Sequence, residues 1–334
     1  MEVDRLIPHK RGSRKPRLKS AILRAFGRAS QLPPWNSEAS IREELFGIER
    51  LEQHAETLAA AQPVTEGPMT GRSLAVRLKD NESVLLDAYR AIVAAVDEGQ
   101  AITPAGEWLL DNYHVVEEQI REIRDDLPPG YYRQLPKLAA GPFTGYPRVF
   151  GVAWAFVAHT DSRFDPEMLR RFVRAYQRVQ PLSIGELWAV AITLRIVLVE
   201  NLRRAARRIA TSRAARSDAD AIADRLLGVN GRPAEPAAAV FLPWGQAPLP
   251  PAFAVQLVQR LRDQDPQVVA PALTWLDECL AAQGTSADEI VHDEHQSQGA
   301  TNVTVRNIIT SMRLISEVDW ADVVESVSLI DDTL

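Results

Sequence analysis

The chain has 334 residues, one cysteine and a formal net charge of −6, with 46% hydrophobic and 25% charged residues. That composition supports a sizeable apolar core, and its acidic balance argues against a nucleic-acid partner. The single cysteine, Cys279, excludes an internal disulfide and any cysteine-based zinc site, which fits a reducing compartment. No secretory signal is visible, because the first twenty residues are polar and basic with no apolar centre. The most apolar stretches, 149–158 and 187–199, are shorter than the roughly 18–20 residues that cross a bilayer.

Residues 1–34 read as a basic, disordered tail carrying Lys10, Arg11, Arg14, Lys15, Arg17 and Lys19. Such a tail is either simply solvated or weakly attracted to an anionic inner leaflet, at about 1 kcal/mol per basic residue. A first helix is expected from Asn36 or Ser37 to Ala60, with Ile41, Leu45, Ile48, Leu51 and Leu58 on one face. A second runs from Asn81 to Glu98, with Leu85, Tyr89, Ile92 and Val96 inward, and Gly99 closes it. Thr103-Pro104 starts a third that reaches Arg124.

Residues 125–148 form a long loop rich in proline and glycine, and its aromatic residues favour an ordered, packed conformation. A helix follows from Arg148 to Thr160, and Asp165-Pro166 begins the next, which ends before Pro181. Ser183 and Glu186 form a capping box at the head of a long helix to about Ile209, and Ser217 can cap a short one. The proline-rich stretch 229–251 reads as a linker between a helical domain, 35–228, and a smaller helical subdomain, 252–334. In that subdomain Pro271 should kink or split the helix that starts at Asp265-Pro266. Ser286 with Glu289 and then Asp319 mark the last two helix starts. With no alternating strand pattern, the fold class is all-α, a multi-helix, bundle-like array with long proline-rich loops.

Two segments have the composition of a site. In PPGYYRQLPKL, Tyr131 and Tyr132 offer ring faces to a sugar, and Arg133 and Lys137 can bind phosphate or carboxylate. The same tyrosines could equally staple helices together. In HTDSRFD, His159, Asp161 and Arg163 lie at a helix–helix junction, where capping and an Arg–Asp pair explain most of them. His114 with Glu117 and Glu118, and His292 with His295, lack the ligand set of a zinc site. Asp218-Ala219-Asp220 is formally a D-x-D, but no strand precedes it and it reads as capping chemistry. Phosphate-binding glycine loops and nucleophile elbows are absent, so no residue is assigned as catalytic and none as a metal ligand.

Three runs carry a resemblance: Trp108 to Leu138, Gly145 to Arg204, and NVTVRNIITSMRLISEVDWADVVESVSL from Asn302 to Leu329. Together they resemble the N-terminal region of bacterial cyclic β-1,2-glucan synthases, large inner-membrane enzymes that polymerise glucose from UDP-glucose. The resemblance implies a fragment, from a truncated or split gene. In the family, the membrane spans, the metal-binding D-x-D, the Q-x-x-R-W motif and the phosphorylase-like domain lie further on. No cofactor is therefore expected to bind this chain. It implies a place at the cytoplasmic face of the inner membrane, with the remainder of the synthase as partner and glucan as a second candidate. The expected role is accessory, regulatory or docking. The alternatives are a free-standing helical interaction module and a small helical enzyme using the 125–165 loops.

Overall fold

The computed structural model describes residues 37–66, 73–127, 130–229, 233–242 and 248–329. The basic tail lies outside the described residues. In chain order the elements are α1 (Ile48–Ala61), β1 (Val64–Thr65), α2 (Leu74–Asp97), α3 (Pro104–Asp111), α4 (Tyr113–Asp126) and α5 (Tyr131–Gln134). Next come β2 (Lys137–Leu138), α6 (Arg148–His159), α7 (Pro166–Val179) and α8 (Ile184–Leu227). The last are α9 (Ala237–Phe241), α10 (Pro251–Leu261), α11 (Pro266–Ala282), α12 (Ala287–Glu317) and α13 (Trp320–Val327). The fold is all-α, as expected. The two-residue strands pair antiparallel, Val64 opposite Leu138 and Thr65 opposite Lys137, a pairing too short to leave a sequence pattern.

Helix α8 is the axis. At 1.5 Å per residue its 44 residues span roughly 66 Å. The Ser183–Glu186 capping box starts it, with the Ser183 N–H donating to Glu186 Oε2 at 2.9 Å. It does not end near Ile209 but runs to Leu227 and closes on Gly228. Ser217 therefore lies inside the helix and caps nothing. Ala215, Ala219, Ile222, Ala223 and Leu226 recur at helical spacing and are buried in a core shared with α10. That stripe outweighs the modest helix preference of Thr211, Ser212 and Ser217.

Other boundaries also move. Residues 37–47 are extended rather than helical, because their backbone groups find partners elsewhere. The Glu43 N–H donates to the Ala158 carbonyl at 3.0 Å and the Phe46 N–H to that of His159 at 3.1 Å. The Ile41 N–H donates to Asn201 Oδ1 at 2.7 Å, and Asn201 Nδ2 returns a bond to the Ile41 carbonyl. Leu45 is consequently exposed instead of lying on a helix face. Helix α2 begins seven residues before the expected Asn81, and its Val96 is exposed. The helix expected from Thr103 to Arg124 breaks at buried Asn112, whose amide donates to the Trp108 carbonyl and accepts from Arg313. Helix α11 passes Pro271 without splitting.

From Glu38 onward the chain packs as one compact unit. α10 lies along α8, so contacts cross the stretch 229–251 that reads as an interdomain linker. Two apolar regions flank α8. Around its proximal half lie α6 and α2, and Phe150 and Phe156 of α6 and Phe172 and Tyr176 of α7 are fully buried. Around its distal half lie α9, α10 and α11, centred on Phe253, Leu257, Leu261 and Leu276. Gly151 allows α6 to approach closely, since a Cβ there would meet Gln62 Nε2 at 2.7 Å and Leu138 Cδ1 at 3.1 Å.

Candidate functional site

The tyrosine loop is anchored to α8. Gly130, at a φ of 98°, turns the chain into α5, and the hydroxyl of Tyr131 donates to the Gly185 carbonyl at 2.5 Å. The Tyr132 hydroxyl lies 3.1 Å from Thr193 Oγ1, and the two rings meet edge to face at 5.7 Å. Burial raises both phenol pKa values above the ordinary tyrosine range. Lys137 Nζ donates to the carbonyls of Arg133 and Leu135 at 2.6 and 3.2 Å, while Arg133 is exposed. Beside this loop, Ile184 and Trp188 on the first turns of α8 are 48% and 47% exposed, and Val179 at the end of α7 is 47% exposed.

The second predicted segment is a tight corner. Asp161 and Ser162 both adopt left-handed backbone, with φ of 50° and 61°, a conformation that L-residues hold only when their surroundings enforce it. Asp161 Oδ1 accepts from Thr304 at 2.6 Å, and the Asp161 carbonyl accepts from Asn307 Nδ2 at 3.0 Å. Ser162 Oγ accepts from Asn201 at 2.8 Å, and its carbonyl accepts from Ser311 at 2.8 Å. The arginine beside Asp161 is Arg42, at 3.7 Å, whereas Arg163 is exposed. Buried His159 stacks on Phe46 at 4.1 Å, with Nδ1 2.8 Å from the Glu44 carbonyl and Nε2 3.4 Å from Glu43. The structure therefore brings His159 and Asp161 to one corner at the end of α6 and leaves Arg163 at its surface. The tyrosine loop is held on α8 instead.

Three features escape the sequence reading. Fully buried Glu200 accepts from Arg77 at 2.6 and 2.8 Å, from Arg204 at 2.9 Å and from Arg203 at 3.3 Å. Burial alone would raise its pKa, but the Arg77 hydrogen bonds and the charges of Arg204, Arg77 and Arg203 outweigh it and hold the carboxyl at about 2. Buried Arg148 makes a bidentate pair with Glu186 at 2.5 and 2.8 Å and donates to the Pro181 carbonyl, fixing α6 to the head of α8. The only signal for either pair was a charge inside an apolar helical stripe.

The third feature is a cleft of about 220 Å³ at the level of Ile209, lined by Thr103 and Ala105 of the α3 start, Arg208, Ser212 and Arg216 of α8, Pro251, and Glu294, Ser297, Gln298, Thr301 and Asn302 of α12. Arg216 pairs with Glu294 at 3.1 Å, and Asn302 Oδ1 accepts the Ala105 N–H at 3.0 Å. Its signal was a polar run at helical spacing on each of two facing helices: Arg208, Ser212 and Arg216 on one, Glu294, Ser297 and Thr301 on the other.

The remaining motifs are structural. Asp218 and Asp220 stand inside α8 rather than at a helix start, and Asp220 accepts from Gln256 at 2.9 Å. His292 lies 2.9 Å from Gln296 Nε2. Among the described residues no group of three or more metal-binding side chains converges, and no helix is long and apolar enough to cross a membrane.

Over 295 residues, 88% of its length, the chain is 40% identical to the cyclic β-(1,2)-glucan synthase NdvB of Rhizobium meliloti (strain 1021). This chain is related to the cyclic β-1,2-glucan synthases. It spans about 10% of the length of that protein. No protein-family model matches the chain.

Proposed function

We propose that this chain is a helical accessory region of a cyclic β-1,2-glucan synthase that docks on the remainder of the enzyme and carries no transfer chemistry itself. UDP-glucose, the divalent metal and the membrane spans then belong to the remainder, at the cytoplasmic face of the bacterial inner membrane. One observation carries the reading. The hydroxyls, imidazole and carboxylate of the two site-like segments are engaged within the chain: Tyr131 and Tyr132 on α8, His159 against Glu44, and Asp161 on α12. The similarity to NdvB supplies the context.

The docking face in this reading is the tyrosine loop with the first turns of α8. Trp188, Ile184 and Val179 expose apolar surface there, and a half-exposed tryptophan among aliphatic residues is the composition of an interface anchor. The chain and the remainder of the synthase, produced as separate polypeptides, should copurify. Trp188→Glu should abolish copurification while leaving the melting temperature nearly unchanged. Equal recovery with Trp188→Glu would remove this face from the proposal. Failure of the unmodified chain to bind would favour the free-standing interaction module.

A further inference from the structure

We propose that the cleft between α3, α8, α10 and α12 binds a small anionic polyol of single-sugar size, with Arg208 as its anion anchor. Hydrogen-bonding groups that line the cleft without a partner among the described residues are the basis. Every other arginine of α8 has a polar or charged side-chain partner: Arg195 with Glu122, Arg203 and Arg204 with Glu200, Arg207 with Glu38, Arg213 with Gln100, Arg216 with Glu294, Arg225 with Glu235. Arg208 has none among the described residues, and it lines the cleft. The carboxylate that shares the cavity, Glu294, is already matched by Arg216 at 3.1 Å and by Gln298 Nε2 at 2.8 Å. Among the described residues the cavity is left with one uncompensated cation.

The neutral lining points to a polyol. The hydroxyls of Ser212 and Ser297 and the amide NH₂ of Asn302 have no intramolecular partner among the described residues and are partly exposed in the cleft, where they can bond a ligand hydroxyl. Ile209, Ala105 and Pro251 supply an apolar side suited to the C–H face of a sugar ring. At about 220 Å³ the cavity is smaller than the roughly 300–1,000 Å³ of pockets for drug-sized ligands, which limits the occupant to one ring. The anion could be a phosphate ester or a carboxylate, since a guanidinium receives either in bidentate fashion.

This inference is independent of the docking proposal, because it is tested on the isolated chain. Calorimetric titration with glucose 6-phosphate, glucuronate, glucose and inorganic phosphate separates the contributions. At least one anionic sugar should bind about tenfold or more tightly than either glucose or inorganic phosphate. Preference between the two anionic sugars identifies the phosphate ester or the carboxylate as the source. R208Q should weaken that binding about tenfold or more with a nearly unchanged ligand-free melting temperature, because Arg208 has no hydrogen-bond or ion-pair partner among the described residues. S212A, a milder change, should weaken it less. The proposal is overturned if neither anionic sugar binds, if glucose or phosphate alone binds equally well, or if R208Q binds like the unmodified chain.

Discussion

The two halves of α8 are surrounded by different chemistry. Its proximal half carries buried charge: Glu186 under Arg148, and Glu200 under three arginines. Its distal half is buried through alanine, isoleucine and leucine against Phe253 and Leu257, and two of its ion pairs, Arg225–Glu235 and Arg260–Asp224, are partly exposed. Apolar packing fixes how much is buried and tolerates many arrangements. A buried bidentate pair admits one geometry and is costly to leave half-made. The proximal half is also where chain segments distant in sequence must meet at set angles, including the extended segment 37–47, the Asp161 corner and α2. Directional contacts hold each of them.

The comparison breaks most visibly at Glu200. Glu200→Gln strands buried arginines and should cost about 3–5 kcal/mol in denaturant unfolding. Phe253→Ala in the distal core should cost a similar 3–5 kcal/mol by opening a cavity. Arg260→Gln, at a partly exposed pair, should cost less than about 1 kcal/mol. If Glu200→Gln behaves like Arg260→Gln, the proximal charges are not what fix that half.

A pH titration comes next. Burial, and then the charge of His159 at 4.3 Å, lowers the pKa of His54 to about 4 from an unfolded value near 6.5. The unfolded chain therefore takes up this proton first. Stability should be complete above pH 6.5 and fall by about 1–2 kcal/mol as pH drops towards 5. His54→Gln should flatten that slope. Glu200, held at about 2, should add its own loss only as pH falls below 4.5. A small effect is also expected at the tyrosine loop, where Tyr132→Phe removes one hydrogen bond to Thr193 and should cost about 1 kcal/mol.

Much of this architecture was legible. Asp165, Ser183, Ser286 and Asp319 cap helices where the pattern places them, because a cap is a local bond between near neighbours. The segment 37–47 was not legible, since its partners, Ala158, His159 and Asn201, lie more than a hundred residues away. The distal half of α8 was hidden because its solvent-facing serines and aspartates read as a boundary, while small alanines form the buried stripe. In the tyrosine loop the sequence offered both a ligand-facing and a helix-stapling role, and spacing alone could not show the two hydroxyls turned onto Gly185 and Thr193. The cleft went unseen because its lining comes from four helices far apart in sequence.

The most direct test of the accessory role is reconstitution. The remainder of the synthase, produced without this region, should be supplied with UDP-glucose alone, with the purified chain, and with its Trp188→Glu form. The account predicts no turnover by the isolated chain, weak cyclic glucan synthesis by the remainder, and recovery on adding the chain but not the variant. Glucose transfer by the chain alone, or full synthesis by the remainder without it, would contradict the account.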